Sequence, residues 1–135
     1  LLHQKLRTDA RVQVIEDCDF KTFTKDQLRQ PVEAFVADIS FASLLSLVTR
    51  AFSLLTPHTR AAEGIVLFKP QFELPRAERG LLEKGVLHDA SRAAALLDEF
   101  GQTLQAEGIR IAAREAAAIK GRKGNQEFVL HLIQA

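Results

Sequence analysis

Two extended runs, VEAFVADI and GIVLFKP, stand on either side of one long helical pattern, and this order constrains the fold more than anything else in the chain. Within SFASLLSLVTRAFSLL, residues Phe41, Leu44, Leu45, Val48, Phe52 and Leu55 recur at the three, four and seven spacing of a single buried stripe. Ser40 is the N-cap candidate. Strand, helix and strand in this order make a right-handed βαβ unit, whose two strands run parallel. GIVLFKP is apolar on both faces, the mark of a parallel strand covered by helices on either side, and Pro70 stops it.

The flanking segments extend the same pattern. LLHQKLRTD carries Leu2 and Leu6 four apart, as in the last turns of a helix, and RVQVIED clusters β-branched residues as a short strand does. KDQLRQP predicts a short helical turn closed by Pro31, and TPHTR a loop. A polar connection from Gln71 to Leu87 leads to a helix capped by Asp89 or Ser91, with Leu96, Leu97, Phe100 and Leu104 on one face and Gly108 after its end. IRIAAREAAAI and EFVLHLIQA are strand candidates joined by KGRKGNQ, which is too short for a parallel crossover and implies an antiparallel pair. The alanine-rich AAREAAA suits a helix equally well. The sum is the back portion of a doubly wound α/β domain, in which ligands collect at the carboxyl ends of the parallel strands.

At 135 residues and 47% hydrophobic content, the chain is long and apolar enough for one domain with one core. Its 18 basic and 17 acidic residues give a formal charge of +1, so any anion-binding surface must be local. The single cysteine, Cys18, excludes an internal disulfide and a multi-cysteine zinc site. No apolar run approaches the roughly 20 residues that span a bilayer, and the expected location is the cytoplasm. The chain opens on LLHQKLRTD and has no methionine, which reads as a segment of a longer protein.

Asp38 and Lys69 end the two strands of the βαβ unit, so their side chains are expected on one edge of the sheet. Glu127, in GNQEF, follows the basic turn at the start of the last strand, and the antiparallel return can bring it beside them. Each also has a plainer role: Asp38 as a helix cap, Lys69 snorkelling to solvent, and Glu127 solvating a strand edge.

The motifs ADISFASL, VLFKPQFE, EKGVLHD and IKGRKGNQEF, in this order and at these separations, resemble those of the TlyA, or hemolysin A, family. LLHQKLRTDARVQVIED is similar to the helix and strand that follow that family's cofactor acid, so the resemblance covers essentially the whole chain. It implies a Rossmann-like S-adenosylmethionine-dependent methyltransferase fold of the FtsJ-like kind, truncated at the N-terminus, with a mostly parallel sheet and a final antiparallel strand. Residues 1–135 would then be the C-terminal part of the catalytic domain, without the glycine-rich cofactor loop or any N-terminal RNA-binding domain. The implied activity is methylation of a ribose 2′-hydroxyl in ribosomal RNA. By motif, Asp38, Lys69 and Glu127 match three members of a lysine, aspartate, lysine, glutamate tetrad, with Lys69 as the proton acceptor. A lysine serves as a base only when its proton can leave near neutral pH; desolvation and a second cation favour this, and neighbouring carboxylates oppose it.

By the same resemblance, Asp19 and Asp38 are candidates for cofactor binding, although Asp19 stands where asparagine is usual and is also an ordinary turn residue. Lys120, Arg122 and Lys123 surround the glycines of KGRKGN, a turn suited to RNA phosphates or simply to solvent. Ala117 and Ala118 replace the serine and proline usual before IKG, and KGVLHD departs from a longer glycine-rich form. His88 and His131 lack a ligand at metal-binding spacing, so no metal is expected. The partner implied is ribosomal RNA or a ribosomal subunit. The competing reading is a non-catalytic RNA- or ribosome-binding module, and nothing is basic and amphipathic enough to support a membrane-active protein.

Overall fold

The computed structural model describes residues 2–58 and 61–134, so Thr59 and Arg60 of the TPHTR loop, and the end residues Leu1 and Ala135, lie outside the described residues. The chain divides into two compact units, Leu1–Pro31 and Val32–Ala135, each of which is described by itself.

In the first unit a single helical turn, α1 (Gln4–Arg7), is capped by His3, whose Nδ1 accepts from Lys5 N at 3.2 Å. RVQVIED does not form a strand. Its β-branched residues favour extended backbone, but a strand needs a ladder. Among the described residues this segment is tied across the unit by side chains and not by a ladder: Gln13 Nε2 donates to Gln27 O at 2.8 Å, its Oε1 accepts from Arg29 N at 3.0 Å, and Glu16 Oε1 accepts from Arg7 Nη1 at 2.5 Å. The expected turn in KDQLRQP is a 3₁₀ turn, Lys25–Gln27, closed by a capping box in which Gln27 Oε1 accepts from Thr24 N at 2.8 Å.

The second unit runs β1 (Ala34–Ala37), α2 (Leu44–Leu54), β2 (Ala62–Phe68), two 3₁₀ turns (Pro70–Phe72 and Arg76–Leu81), a short hairpin of β3 (Leu82–Glu83) and β4 (Val86–Leu87), α3 (Ala90–Ala106), β5 (Ile109–Ala116) and β6 (Phe128–Gln134). The main sheet has the order β1-β2-β6-β5. β1 and β2 are parallel, while β6 is antiparallel to both its neighbours. Three strands therefore share one direction, and the final strand is inserted between two of them in the opposite sense. Residues 112–116 of AAREAAA belong to β5 of this ladder rather than to a helix.

Leu44, Val48 and Phe52 of α2 and Leu96, Leu97, Phe100 and Leu104 of α3 cluster with Val66, Phe68, Leu130 and Leu132 of the sheet. Asp89 caps α3, its Oδ1 accepting from Arg92 N at 2.9 Å, and Gly108 follows the helix at φ +76. Gly64 is required opposite Phe35 in the parallel pair: a Cβ there would stand 2.4 Å from that ring. The expectation that β2 is covered on both faces is not met within this unit. Its burial alternates, and Ile65 is 48% exposed beside Val36 of β1 at 81%.

Helix α2 begins at Leu44 with Ser43, not Ser40, in the N-cap position. Phe41 adopts φ +62, a left-handed conformation that separates the DIS segment from the helix, and the residue is 87% exposed rather than part of the buried stripe. The first helical N–H is capped from elsewhere in the chain: Leu44 N donates to Glu73 Oε1 at 2.8 Å, and Ser43 Oγ donates to Glu73 Oε2 at 3.3 Å. Burial raises the Glu73 pKa above the ordinary glutamate value, and these two hydrogen bonds act in the opposite direction. A raised native-state value means that Glu73 favours the fold most at acid pH, and that this contribution fades as pH rises through the native pKa. Wild type minus Glu73→Gln, measured by denaturant unfolding from about pH 4 to pH 7, should therefore fall with rising pH, whereas Glu73→Ala should cost about 1 kcal/mol through the lost cap.

Candidate active site

The carboxyl ends of β1 and β2 carry the first part of the site. Lys69 follows β2 directly, and Pro70 opens the 3₁₀ turn that prevents the strand from continuing. The Lys69 side chain is 11% exposed, and its Nζ donates to Asp38 Oδ1 at 2.5 Å and to Ser40 Oγ at 3.1 Å. Asp38 is 66% exposed, so one of its oxygens holds the lysine while the carboxylate remains open to solvent. The expected meeting of Asp38 and Lys69 at one sheet edge is present; a capping role for Asp38 is not, because Glu73 takes that position.

The second part comes from the loop between β5 and β6. The ladder ends at Phe68 opposite Phe128, which places Glu127 one step beyond, level with Lys69. Among the described residues no hydrogen bond or ion pair joins the two. The Glu127 carboxylate instead lies against Gly121, where a Cβ would meet its Oε1 at 2.6 Å. The turn is held by Gly121 N to Asn125 O and Gly124 N to Gly121 O, both 2.8 Å, with Gly124 at φ +97.

Asn125, 5% exposed, fastens this turn to the β3–β4 hairpin: its Nδ2 donates to Gly85 O at 3.0 Å and its Oδ1 accepts from Leu87 N at 2.9 Å. Replacing Asn125 with Ala leaves both backbone groups without their partner, and should cost about 1–3 kcal/mol in thermal or denaturant unfolding. Lys123 reaches over the hairpin, its Nζ 3.0 Å from the Cβ position of Gly85.

Asp38, Lys69 and Glu127 line one cleft of about 860 Å³, together with Phe41, Phe72, Arg79, Arg122 and Lys123. The rings of Phe41 and Phe72 stand 4.9 Å apart at the cleft. Lys120, expected with Arg122 and Lys123, is exposed and not part of the lining. Arg79 belongs to a segment fixed by Arg92 of α3, which donates to both Glu78 oxygens at 2.7 and 2.8 Å and to Glu99 at 2.8 Å. These carboxylates, Glu78 foremost, raise the Arg92 pKa further above its already high value. Gln71, also in the lining, is 8% exposed, and its Oε1 is a buried acceptor without a partner among the described residues.

Asp19 lies in the first unit, in a turn where its Oδ1 accepts from Lys21 N at 2.9 Å and its carbonyl accepts from Thr22 Oγ1 at 2.9 Å. No group of three or more metal-ligating side chains occurs among the described residues, and no helix there is long and apolar enough to cross a membrane. Ser40, Phe41, Glu73 and Asn125 complete the site without having been singled out for it in sequence. Only their positions inside DISF, KPQFE and GNQEF marked them.

The chain is similar to known proteins in sequence and in fold. The sequence pattern of the family described as FtsJ-like methyltransferase fits residues 1–134. Hemolysin A of Brachyspira hyodysenteriae is 33% identical over 132 residues, 96% of this chain and 52% of that one. The 23S rRNA (cytidine-2′-O)-methyltransferase TlyA of Campylobacter jejuni is 30% identical over 133 residues, 98% of this chain and 49% of its own length. The 16S/23S rRNA (cytidine-2′-O)-methyltransferase TlyA of Mycobacterium tuberculosis is 32% identical over 127 residues, covering 94% of this chain and 46% of that protein. The crystal structure of a candidate hemolysin from Lactococcus lactis superposes with a TM-score of 0.87 at 27% identity, over 98% of this chain and 62% of that one. The chain spans about half the length of the curated relatives it matches. With a family match along nearly its whole length, the chain belongs to the FtsJ-like methyltransferase family.

Proposed function

We propose that the protein carrying this chain methylates a ribose 2′-hydroxyl of ribosomal RNA in the cytoplasm, with S-adenosylmethionine as donor. The observation that carries this reading is the placement of Lys69 Nζ, largely buried at a strand end, joined to Asp38 and Ser40, and facing a cleft that Glu127 also lines. A ribose hydroxyl is a weak nucleophile, and its attack is assisted by a positioned group that accepts its proton. Lys69 is assigned that role, Asp38 orients its amine, and Glu127 offers a carboxylate to the sugar or to the amine. Arg79, Arg122 and Lys123 supply cations for phosphates at the cleft, with Lys120 beside them on the same turn, and the exposed ring of Phe41 supplies an apolar face for a base.

Bound S-adenosylmethionine supplies an electrophilic methyl group on a cationic sulfur. Asp38 suits such a group, being mostly exposed, with only its Oδ1 hydrogen-bonded among the described residues. The names of the Campylobacter and Mycobacterium relatives support the same chemistry here.

The test is to incubate unmodified ribosomal subunits with the native protein and labelled donor, and to digest the RNA with alkali. Label is expected in an alkali-resistant dinucleotide, because a methylated 2′-oxygen cannot cleave the neighbouring phosphodiester. Label on a base would sink the reading, and RNA binding without transfer would favour the non-catalytic binding module.

A further inference from the structure

Lys69 has two partners among the described residues, and only one of them is charged. The other is Ser40, whose Oγ accepts from Lys69 Nζ at 3.1 Å. By sequence Ser40 stands where a helix N-cap belongs, yet it caps nothing. The N-cap position lies three residues later, at Ser43, and Glu73 takes the first N–H of the helix. Phe41, next in the chain, holds a left-handed φ of +62, a conformation that costs an L-residue about 1–2 kcal/mol. Such strain persists where the surroundings impose it, and here it accompanies the diversion of the Ser40 hydroxyl from the helix to the lysine.

We propose that Ser40 is a positioning residue for proton transfer, fixing the direction of the Lys69 lone pair; this rests on the methyltransferase reading above. A neutral primary amine has two N–H bonds and one lone pair. Asp38 Oδ1 and Ser40 Oγ are two acceptors for those two N–H bonds, which leaves the lone pair as the remaining vertex, available to a hydroxyl in the cleft. With Asp38 alone, the amine turns about its Cε–Nζ bond and the lone pair sweeps a cone. The Ser40 oxygen removes that rotation. Its contribution acts on the rate of the bound complex, not on the binding of either substrate.

The experiment measures steady-state methyl transfer to ribosomal subunits by the native protein and by Ser40→Ala, Ser40→Thr and Lys69→Ala, with a thermal melt for each. Ser40→Ala is expected to lower kcat about tenfold, with KM for RNA and for S-adenosylmethionine within about twofold and an unchanged melting temperature. Ser40→Thr, which restores the acceptor, recovers most of the rate. A kcat for Ser40→Ala within about twofold of wild type, alongside an inactive Lys69→Ala, overturns the role of Ser40 alone. A loss shared equally by the Ala and Thr variants, or one that tracks a lowered melting temperature, also overturns it. Full activity of Lys69→Ala sinks the proton-acceptor reading itself, and the inference with it.

Discussion

Lys69→Ala is expected to reduce methyl transfer by a factor of about 10²–10⁴, the range for loss of a positioned general base. The effect should fall on kcat, because the groups proposed to hold RNA, the exposed Phe41 and the arginines at the cleft, are separate from the lysine. Lys69→Arg discriminates between two ways in which a cation could act. A guanidinium preserves the charge beside Asp38 but has no lone pair available near neutral pH, so it should be about as inactive as alanine if proton acceptance is the role. Substantial activity in the arginine variant would mean that charge alone suffices. Stability is not expected to confuse the result, since Asp38 is 66% exposed and remains solvated when its partner is removed.

The second large effect concerns Glu127, approached from a residue that carries no chemistry of its own. A methyl group on Gly121 would stand 2.6 Å from Glu127 Oε1, so Gly121→Ala must displace the carboxylate. That carboxylate is the far end of a flexible side chain, and the change should barely move the melting temperature. Activity should nevertheless fall about 10–100-fold, because a misplacement of about 1 Å in a catalytic constellation is enough for such a loss. Glu127→Gln keeps the shape and removes the charge. If both variants lose activity to a similar extent, the position and the charge of Glu127 both matter; if Gly121→Ala is as active as wild type, its position against Gly121 does not.

The legible parts of the fold are those whose signal is local. Leu96, Leu97, Phe100 and Leu104 form a stripe at helical spacing, and they pack as expected. The short KGRKGNQ connection forced β5 and β6 to be antiparallel, whatever the alanines of AAREAAA preferred. Asp38 and Lys69 could be brought together because a βαβ crossover leaves little choice of edge. RVQVIED shows the limit of this reasoning, since its propensity was that of a strand but its Gln13 side chain, rather than a ladder, holds it to Gln27 and Arg29. The start of α2 was misplaced for a similar reason: its cap is Glu73, 29 residues from Leu44, and no rule of local sequence connects them. Glu127 and Asn125 were visible as a motif, but their engagement with Gly121, Gly85 and Leu87 belongs to the packing of loops.

The position of β6 also sets a timetable. It is the last strand among the described residues, yet it lies inside the sheet between β2 and β5, with Leu130 and Leu132 fully buried. Until it inserts, β2 and β5 have no ladder to each other, and Glu127 has no fixed place opposite Lys69. A protein made from its N-terminus onward therefore presents Asp38 and Lys69 early and completes their surroundings late, through contacts distant in sequence that are slow to close.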